Sequence, residues 1–367
     1  MTTTRPQRFL TINPGSTSPK LATFVVKNDH LEREYEEVIR HGVEELAPFP
    51  EVPDQYPFRK KVLLGWLKSR GLSVRDINVF VGRGGLVKPI ASGVYRVNAL
   101  MLEHLRGQIN GAHPCNLAGL LAHGLAGESG SEEAFIVDPA IVDEMVDVAR
   151  LSGLPEIERV SKVHTLNHKA VGHAYAVSIG RRYAELNLVI VHLGGGISVA
   201  AHQRGRMIDV NNGLDGEGAF TPERTGGLPT GAFMALCYSG KYTLAEMRRN
   251  IRGAGGLVGY LGTNNAREVE ERVKAGDPKA ELVYRAMAWQ IAKDIGAYAA
   301  VLDFDVDAII LTGGMAYDAD FCAWIEKKVG KVAKVVRYPG GDEEMALANG
   351  VFLGMRGERP VLEYNPE

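Results

Sequence analysis

Near the start of each half of the chain, apolar positions run unbroken or alternate with polar ones, and a turn of small residues interrupts both stretches. In the first half, stretches 8–13 and 20–27 flank Asn13-Pro14-Gly15-Ser16-Thr17-Ser18-Pro19-Lys20, and alternation over 31–39 predicts a third strand. In the second half, 187–193 and 197–203 flank Gly194-Gly195-Gly196, with a third strand at 206–210. Each reads as a β-hairpin with a bare tip. Helical periodicity predicts helices near 54–70, 98–107 and 114–128, with strands at 77–81 and 134–138, so the first half orders as βββαβαβ. A helix at 167–185 opens the second half. Its strands are followed by helices near 231–239, 243–251, 265–275 and 278–302. A buried strand at 306–311 leads into Thr312-Gly313-Gly314, and a strand at 334–338 precedes a C-terminal helix at 342–356. Strands alternating with helices predict an α/β protein whose mixed sheets are covered by helices. The repeat is one of topology, not of sequence. It predicts a domain over 1–140 and another over 141–341, with the segment 342–367 free to return to the first.

Composition narrows the classes. A chain of 367 residues with 45% hydrophobic residues suffices for two cores. A net charge of −2, without long single-sign runs, leaves no basic footprint for nucleic acid. No apolar run approaches the roughly 20 residues that span a bilayer, and no signal-like segment opens the chain, so a cytoplasmic protein without a membrane partner is expected. Cys115, Cys237 and Cys322 are widely spaced among apolar neighbours, which predicts buried thiols in a reducing compartment. Glycine supplies 43 of the residues, above the usual share of about 7%, and the excess sits in short clusters that suit phosphate loops.

Those clusters set the chemistry. Backbone N–H groups at a glycine tip approach an anion closely, and serine hydroxyls add donors. Two such tips at the heads of two half-chains predict a fold that grips a polyphosphate, hence a phosphotransferase. Arg83, in Gly82-Arg83-Gly84-Gly85, follows a predicted strand end, where open α/β sheets bind ligands. Arg224 lies in the turn-rich loop Phe220–Pro229, and guanidinium forks suit phosphate and carboxylate oxygens. His164 and His168 are spaced i,i+4 as zinc ligands can be, yet no third ligand is evident, so hydrogen bonding from His164 and His192 to a transferring phosphoryl group is the better reading. His168 and His173 read as structural. Asp138, at a strand end, and Glu343 or Glu344, opening the C-terminal helix, are magnesium candidates, with Asn13 at the matching place in the first hairpin. The acidic pair also has the plain reading of charge at a helix N-terminus.

Together these residues resemble the acetate and butyrate kinase family, within the sugar kinase, heat-shock 70 and actin superfamily. Its carriers are Asn13–Lys20, Gly82-Arg83-Gly84-Gly85-Leu86, His192-Leu193-Gly194-Gly195-Gly196 and Asp342-Glu343-Glu344. The resemblance implies two ribonuclease-H-like domains (βββαβαβα) hinged around an ATP-binding cleft. It also implies reversible transfer of the γ-phosphoryl of Mg-ATP to a short-chain carboxylate, giving an acyl phosphate and ADP, by an enzyme that forms homo-oligomers. Under it, Asn13, Asp138 and Glu343 surround magnesium, with Glu344 as rival to Glu343. Ser16, Ser18 and Lys20 contact phosphates at the first turn. His192 and Gly194–Gly196 do so at the second, and Gly313 and Gly314 border the adenosine. His164 and Arg224 face the transition state, and Arg83 takes the substrate-side role from a shifted position. Acetate kinases carry His before the diglycine, where this chain has Arg83, and His-Leu-Gly-Asn-Gly at the second turn. Both departures favour the butyrate branch. Leu86, Val87, Pro89 and Ile90 are candidate walls for the acyl chain. The rivals are an acetate or propionate kinase and a hydroxyl kinase using Asp138 as base. A nucleotide-switch module is the third.

Overall fold

The computed structural model describes residues 7–15, 18–41, 43–49 and 51–366. They divide into two compact units: the first runs to Val142 and resumes at Asp342, and the second spans Asp143–Gly341. Both are mixed α/β, each with its own sheet.

In the first unit β1 (Arg8–Asn13), β2 (Lys20–Lys27) and β3 (His30–Val38) form an antiparallel meander. On the other side of β1 lie β4 (Val79–Arg83) and then β6 (Ala134–Val137), both parallel to it, with β5 (Val94–Arg96) antiparallel to β6. Phe9–Ile12, Val79–Val81 and Ala134–Val137 are buried, as strands covered on both faces are. The helix Asn116–Ser129 packs so closely on β4 that a Cβ at Gly82 would lie 2.6 Å from the Ala118 carbonyl carbon. One at Gly84 would collide with Pro139. The glycines around Arg83 are thus demanded by packing as well as by any ligand.

In the second unit β7 (Asn187–Leu193), β8 (Ile197–Gln203) and β9 (Arg206–Val210) form the meander, with β10 (Ala308–Gly313) and β11 (Val335–Pro339) parallel to β7. The order β11-β10-β7-β8-β9 repeats β6-β4-β1-β2-β3 of the first unit. One face is covered by the helix Pro278–Val301, which buries Tyr284, Met287, Ile291 and Ile295. Val171 and Tyr175 of the helix Thr165–Ser178 pack with Leu188 and Ile190 on a smaller core. The chain then returns to the first unit. The helix Glu343–Met355 lies across β1, β4 and β6, and β12 (Val361–Glu363) adds to β5.

The differences from the pattern have physical causes. The helix predicted over 167–185 stops at Ser178, because the chain turns through Gly180 at φ +66° into a short turn of helix at Tyr183–Glu185. The strand predicted over 306–311 runs on through Thr312 and Gly313. The helices Gly256–Leu261 and Ala319–Val329 were not expected. Cys115 and Cys322 are buried, but Cys237 is exposed, because the apolar helix Thr230–Cys237 buries none of its residues.

Candidate active site

Parallel pairing sets Ile12 opposite Gly82, so Asn13 and Arg83 leave neighbouring strand ends, and the helix Glu343–Met355 begins beside them. Asn13 Nδ2 donates to Glu343 Oε2 (2.9 Å) and to Glu344 Oε1 (3.0 Å). Arg83 Nη1 donates to Glu343 Oε2 (2.8 Å) and to Asn13 Oδ1 (3.3 Å). Glu344 is wholly buried, and among the described residues its Oε2 has no hydrogen-bond partner. Burial pushes its carboxyl up to about 7, against bonds from Thr11 and Asn13 and the charge of Lys20, while Glu343 adds to the rise.

The first turn is only partly visible in these terms, since Ser16 lies outside the described residues. Ser18 is exposed, and Lys20, opposite Asn13 across the hairpin, pairs with Glu36 at 2.8 Å. Arg59, 3% exposed, donates from Nη1 to the Gly15 carbonyl at 3.0 Å. A buried guanidinium therefore backs this turn, and no local motif marks it. Asp138 is also buried, at φ +40°. Its Oδ1 accepts from Arg359 Nη2 (2.6 Å) and the Gly93 N–H (2.8 Å), so it stands outside the bonds that join Asn13, Arg83, Glu343 and Glu344. Beside Arg83, His113 Nδ1 lies 2.9 Å from Cys115 Sγ, and burial pushes that thiol up to about 11 against the pull of Arg83. Of the wall candidates, Val87 is in the core and Pro89 is exposed, while Leu86 and Ile90 are half-buried.

At the second turn Leu193 pairs with Ile197 across Gly194–Gly196. Thr221 ties this turn to the arginine loop: its Oγ1 donates to the Gly195 carbonyl (2.6 Å) and accepts from the N–H groups of Glu223 (3.2 Å) and Arg224 (3.0 Å). The Arg224 guanidinium fills the space that a Cβ on Gly196 would need, and Nη1 donates to the Gly213 carbonyl at 2.5 Å. Its Nε–H is buried without a partner, and no carboxylate pairs with it among the described residues. Burial lowers its pKa, although Glu223 nearby opposes that. A half-buried guanidinium without a paired carboxylate is costly unless an anion comes to it.

Two histidines stack beside the same turn, with a third buried behind them. The rings of His164 and His192 stack with centroids 3.9 Å apart, 14° from parallel. His192 Nδ1 lies 2.8 Å from Asn167 Oδ1, and His164 Nδ1 lies 3.0 Å from Ser198 Oγ. His168 is buried, with Nε2 at 2.9 Å from Ser198 Oγ and Nδ1 at 3.2 Å from Nε2 of His202, so both of its nitrogens are occupied within the protein. A cavity of about 470 Å³ opens beside Gly194 and Gly195, bounded by Asn264, Arg267, Glu270, Gly314 and Tyr317. Gly313, at φ +88°, sits against the Leu193 backbone, where no side chain fits, whereas Gly314 faces open space. Arg267 and Glu270 carry no sequence signal beyond their helix, Ala266–Lys274, and Asn264, just before it, carries none.

The cavity has the size and mixed polarity of a nucleoside site. Magnesium takes few protein oxygens when nucleotide phosphates and waters complete its shell. The spare buried oxygen of Glu344, with Glu343 and the Asn13 carbonyl oxygen close by, is a donor set of that kind. Among the described residues no group of three or more His, Cys, Asp or Glu is arranged to hold a metal by itself.

The Acetokinase family profile matches residues 157–333. Butyrate kinase 2 of Clostridium acetobutylicum is 48% identical over 357 residues, covering 97% of this chain and 99% of that protein. Butyrate kinase 1 of the same organism is 47% identical with the same coverage. Among solved structures, an acetate kinase of Porphyromonas gingivalis superposes with a TM-score of 0.72 at 18% identity, covering 94% of this chain and 98% of that one. A propionate kinase of Francisella tularensis gives 0.68 at 20% identity with the same coverage. These two likenesses show the fold.

Proposed function

The chain belongs to the acetokinase family, and from that premise we infer that it is a carboxylate kinase. It transfers the γ-phosphoryl group of ATP to butyrate or a similar short or branched acid, reversibly, giving an acyl phosphate and ADP. The observation that carries the choice of acid is the likeness to two butyrate kinases along almost the whole chain. This reading takes precedence over an acetate or propionate kinase and over a hydroxyl kinase.

The chemistry asks little proton transfer of the protein. A carboxylate is already a nucleophile, so in-line attack on the γ-phosphorus needs no base, and positioning with charge neutralisation sets the rate. We assign Arg83 to the acid and Arg224 to the equatorial oxygens of the transferring group. The unpartnered Nε–H and missing carboxylate of Arg224 support this. His164 and His192 donate to the same oxygens, and Gly194–Gly196 offer backbone N–H groups to the phosphates, with Ser16, Ser18 and Lys20 serving at the first turn. The 470 Å³ cavity, with Gly314 at its edge and Gly313 next to it in the chain, takes the adenosine. Magnesium supplies charge neutralisation on the phosphate oxygens, and Asn13, Glu343 and Glu344 are the residues to hold it. Asp138 we assign to anchoring Arg359 rather than to the metal, since its Oδ1 is already engaged twice. The helix Thr230–Cys237, apolar and without a buried residue, supports a homo-oligomer. Among the described residues no helix is long and apolar enough to cross a membrane.

The test is hydroxylamine trapping of acyl phosphate with Mg-ATP and acetate, propionate, butyrate, isobutyrate or valerate. A maximum at four or five carbons is expected. Product with acetate alone would move the chain to the acetate branch, and none with any acid would overturn the carboxylate kinase reading.

A further inference from the structure

Behind His164 a buried line of hydrogen bonds runs through the second unit. Ser198 Oγ meets His164 Nδ1 at 3.0 Å and His168 Nε2 at 2.9 Å. His168 Nδ1 meets His202 Nε2 at 3.2 Å, and His202 Nδ1 meets Tyr183 Oη at 2.6 Å. Ser198, His168 and His202 have no exposed surface, and Tyr183 is 6% exposed. The reaction needs no proton relay, so this line is not explained by the chemistry of the transfer.

We propose that Tyr183 and His202 are positioning residues that fix the tautomer of His164 through Ser198 and His168. The inference rests on reading His164 as the histidine that faces the transferring phosphoryl group. Polarity follows from donor counting. A contact of 2.6 Å suits O–H as the donor better than a ring N–H, so the Tyr183 hydroxyl donates to His202 Nδ1. A neutral His202 then carries its proton on Nε2 and donates to His168 Nδ1. His168 in turn donates from Nε2 to Ser198 Oγ, and the Ser198 hydroxyl donates to His164 Nδ1. His164 is left with its proton on Nε2, a donor for an anionic oxygen. The reverse polarity would put that proton on Nδ1 and turn a bare Nε2 lone pair outward.

The surroundings hold the line neutral. Lys169 stands with its ammonium 5.7 Å from the Tyr183 ring, bonded to Glu144 (2.7 Å) and the Gly205 carbonyl (2.7 Å), and its charge disfavours an imidazolium at His168 or His202.

The test reads the tautomer directly, by long-range 15N–13C imidazole correlations of the intact protein, with the His164 signals identified by their loss in His164→Asn. The expected result in the native protein is an unprotonated-type Nδ1 and a protonated Nε2 on His164. A protonated Nδ1 overturns the proposal without any activity measurement, so its failure is separable from failure of the kinase reading. Tyr183→Phe keeps the ring but removes the terminal donor. It is expected to mix the two His164 tautomers and lower kcat about tenfold, with KM for Mg-ATP unchanged. Lower kcat with an unaltered tautomer would make Tyr183 merely structural and overturn the assignment. If Tyr183→Phe does not fold, Ser198→Ala breaks the line in its middle and must shift the same signals.

Discussion

The two units share a strand order and a turn after their first strand, yet the turns are dressed in opposite ways. In the first, Asn13, Glu343 and Glu344 gather with Arg83, and the arginine is held at 2.8 Å by a carboxylate. In the second, the side chains are the stacked pair His164 and His192 with Arg224, and no acid pairs with that arginine among the described residues. Under the roles proposed above, one turn serves a cation and the other an anion. The strand order only supplies a place where a backbone tip, a neighbouring strand end and a helix or loop come together. What arrives there decides the sign: a helix N-terminus bringing Glu343 and Glu344 on one side, a threonine-tied arginine loop on the other.

Breaking the anionic side should have the largest effect. Arg224→Ala is expected to lower kcat about a thousandfold with KM for ATP little changed, as loss of a transition-state arginine does. A change confined to KM would return Arg224 to simple binding. Next comes Gly196→Ala, which pushes the guanidinium out of its seat and should lower kcat about a hundredfold. In the Arg224→Ala background the same change should be nearly silent, because the two act on one group. Additive losses would show that Gly196 acts through its backbone instead.

The cationic side is sharpened by Glu343→Gln and Glu344→Gln. Each should raise the magnesium concentration for half-maximal rate about tenfold. Unchanged magnesium dependence in both would leave the cluster a charge pair for Arg83 and nothing more. The smallest effect concerns stability. Burial holds His168 and His202 well below the usual imidazole value, so the folded state resists protons that the unfolded chain takes up near pH 6.5. Their contribution is complete above that pH and is lost as pH falls, so Tm should drop on acidification from about 6.5. In His202→Gln the slope of that drop should be shallower, whatever the variant's Tm at neutral pH. An equal slope would place the titrating groups elsewhere.

Much of this was legible in the chain. Strands 187–193, 197–203 and 206–210 stand where the apolar pattern puts them, because their cores are long enough for alternation to register. β5 and β12, three residues each, are too short for any periodicity to speak, and pairing alone makes them strands. The helix Ala319–Val329 did leave a signal, an Asp318 cap before Phe321, Cys322, Ile325 and Val329, which the adjoining glycine turn obscures. At the site, Arg224 and His164 are visible as chemistry. Ser198 bridging two imidazoles is not, since the bridge spans 34 positions to His164 and 30 to His168 and depends on strand register. Glycine misled in the other direction. Gly82, Gly84 and Gly85 look like ligand-facing positions, and all three are pressed by Ala118, Pro139 or Asn116.

The bare guanidinium of Arg224 has a consequence at the bench. If Arg224 holds the transferring group as proposed, its half-buried charge and idle N–H would take other tetrahedral oxyanions, so sulfate or phosphate in a purification buffer should act as a ligand. Such salts stabilise whatever folded form they occupy in proportion to the logarithm of their concentration. They would compete with the nucleotide at the same time, and an enzyme stored for longevity in ammonium sulfate would look sluggish until it was desalted.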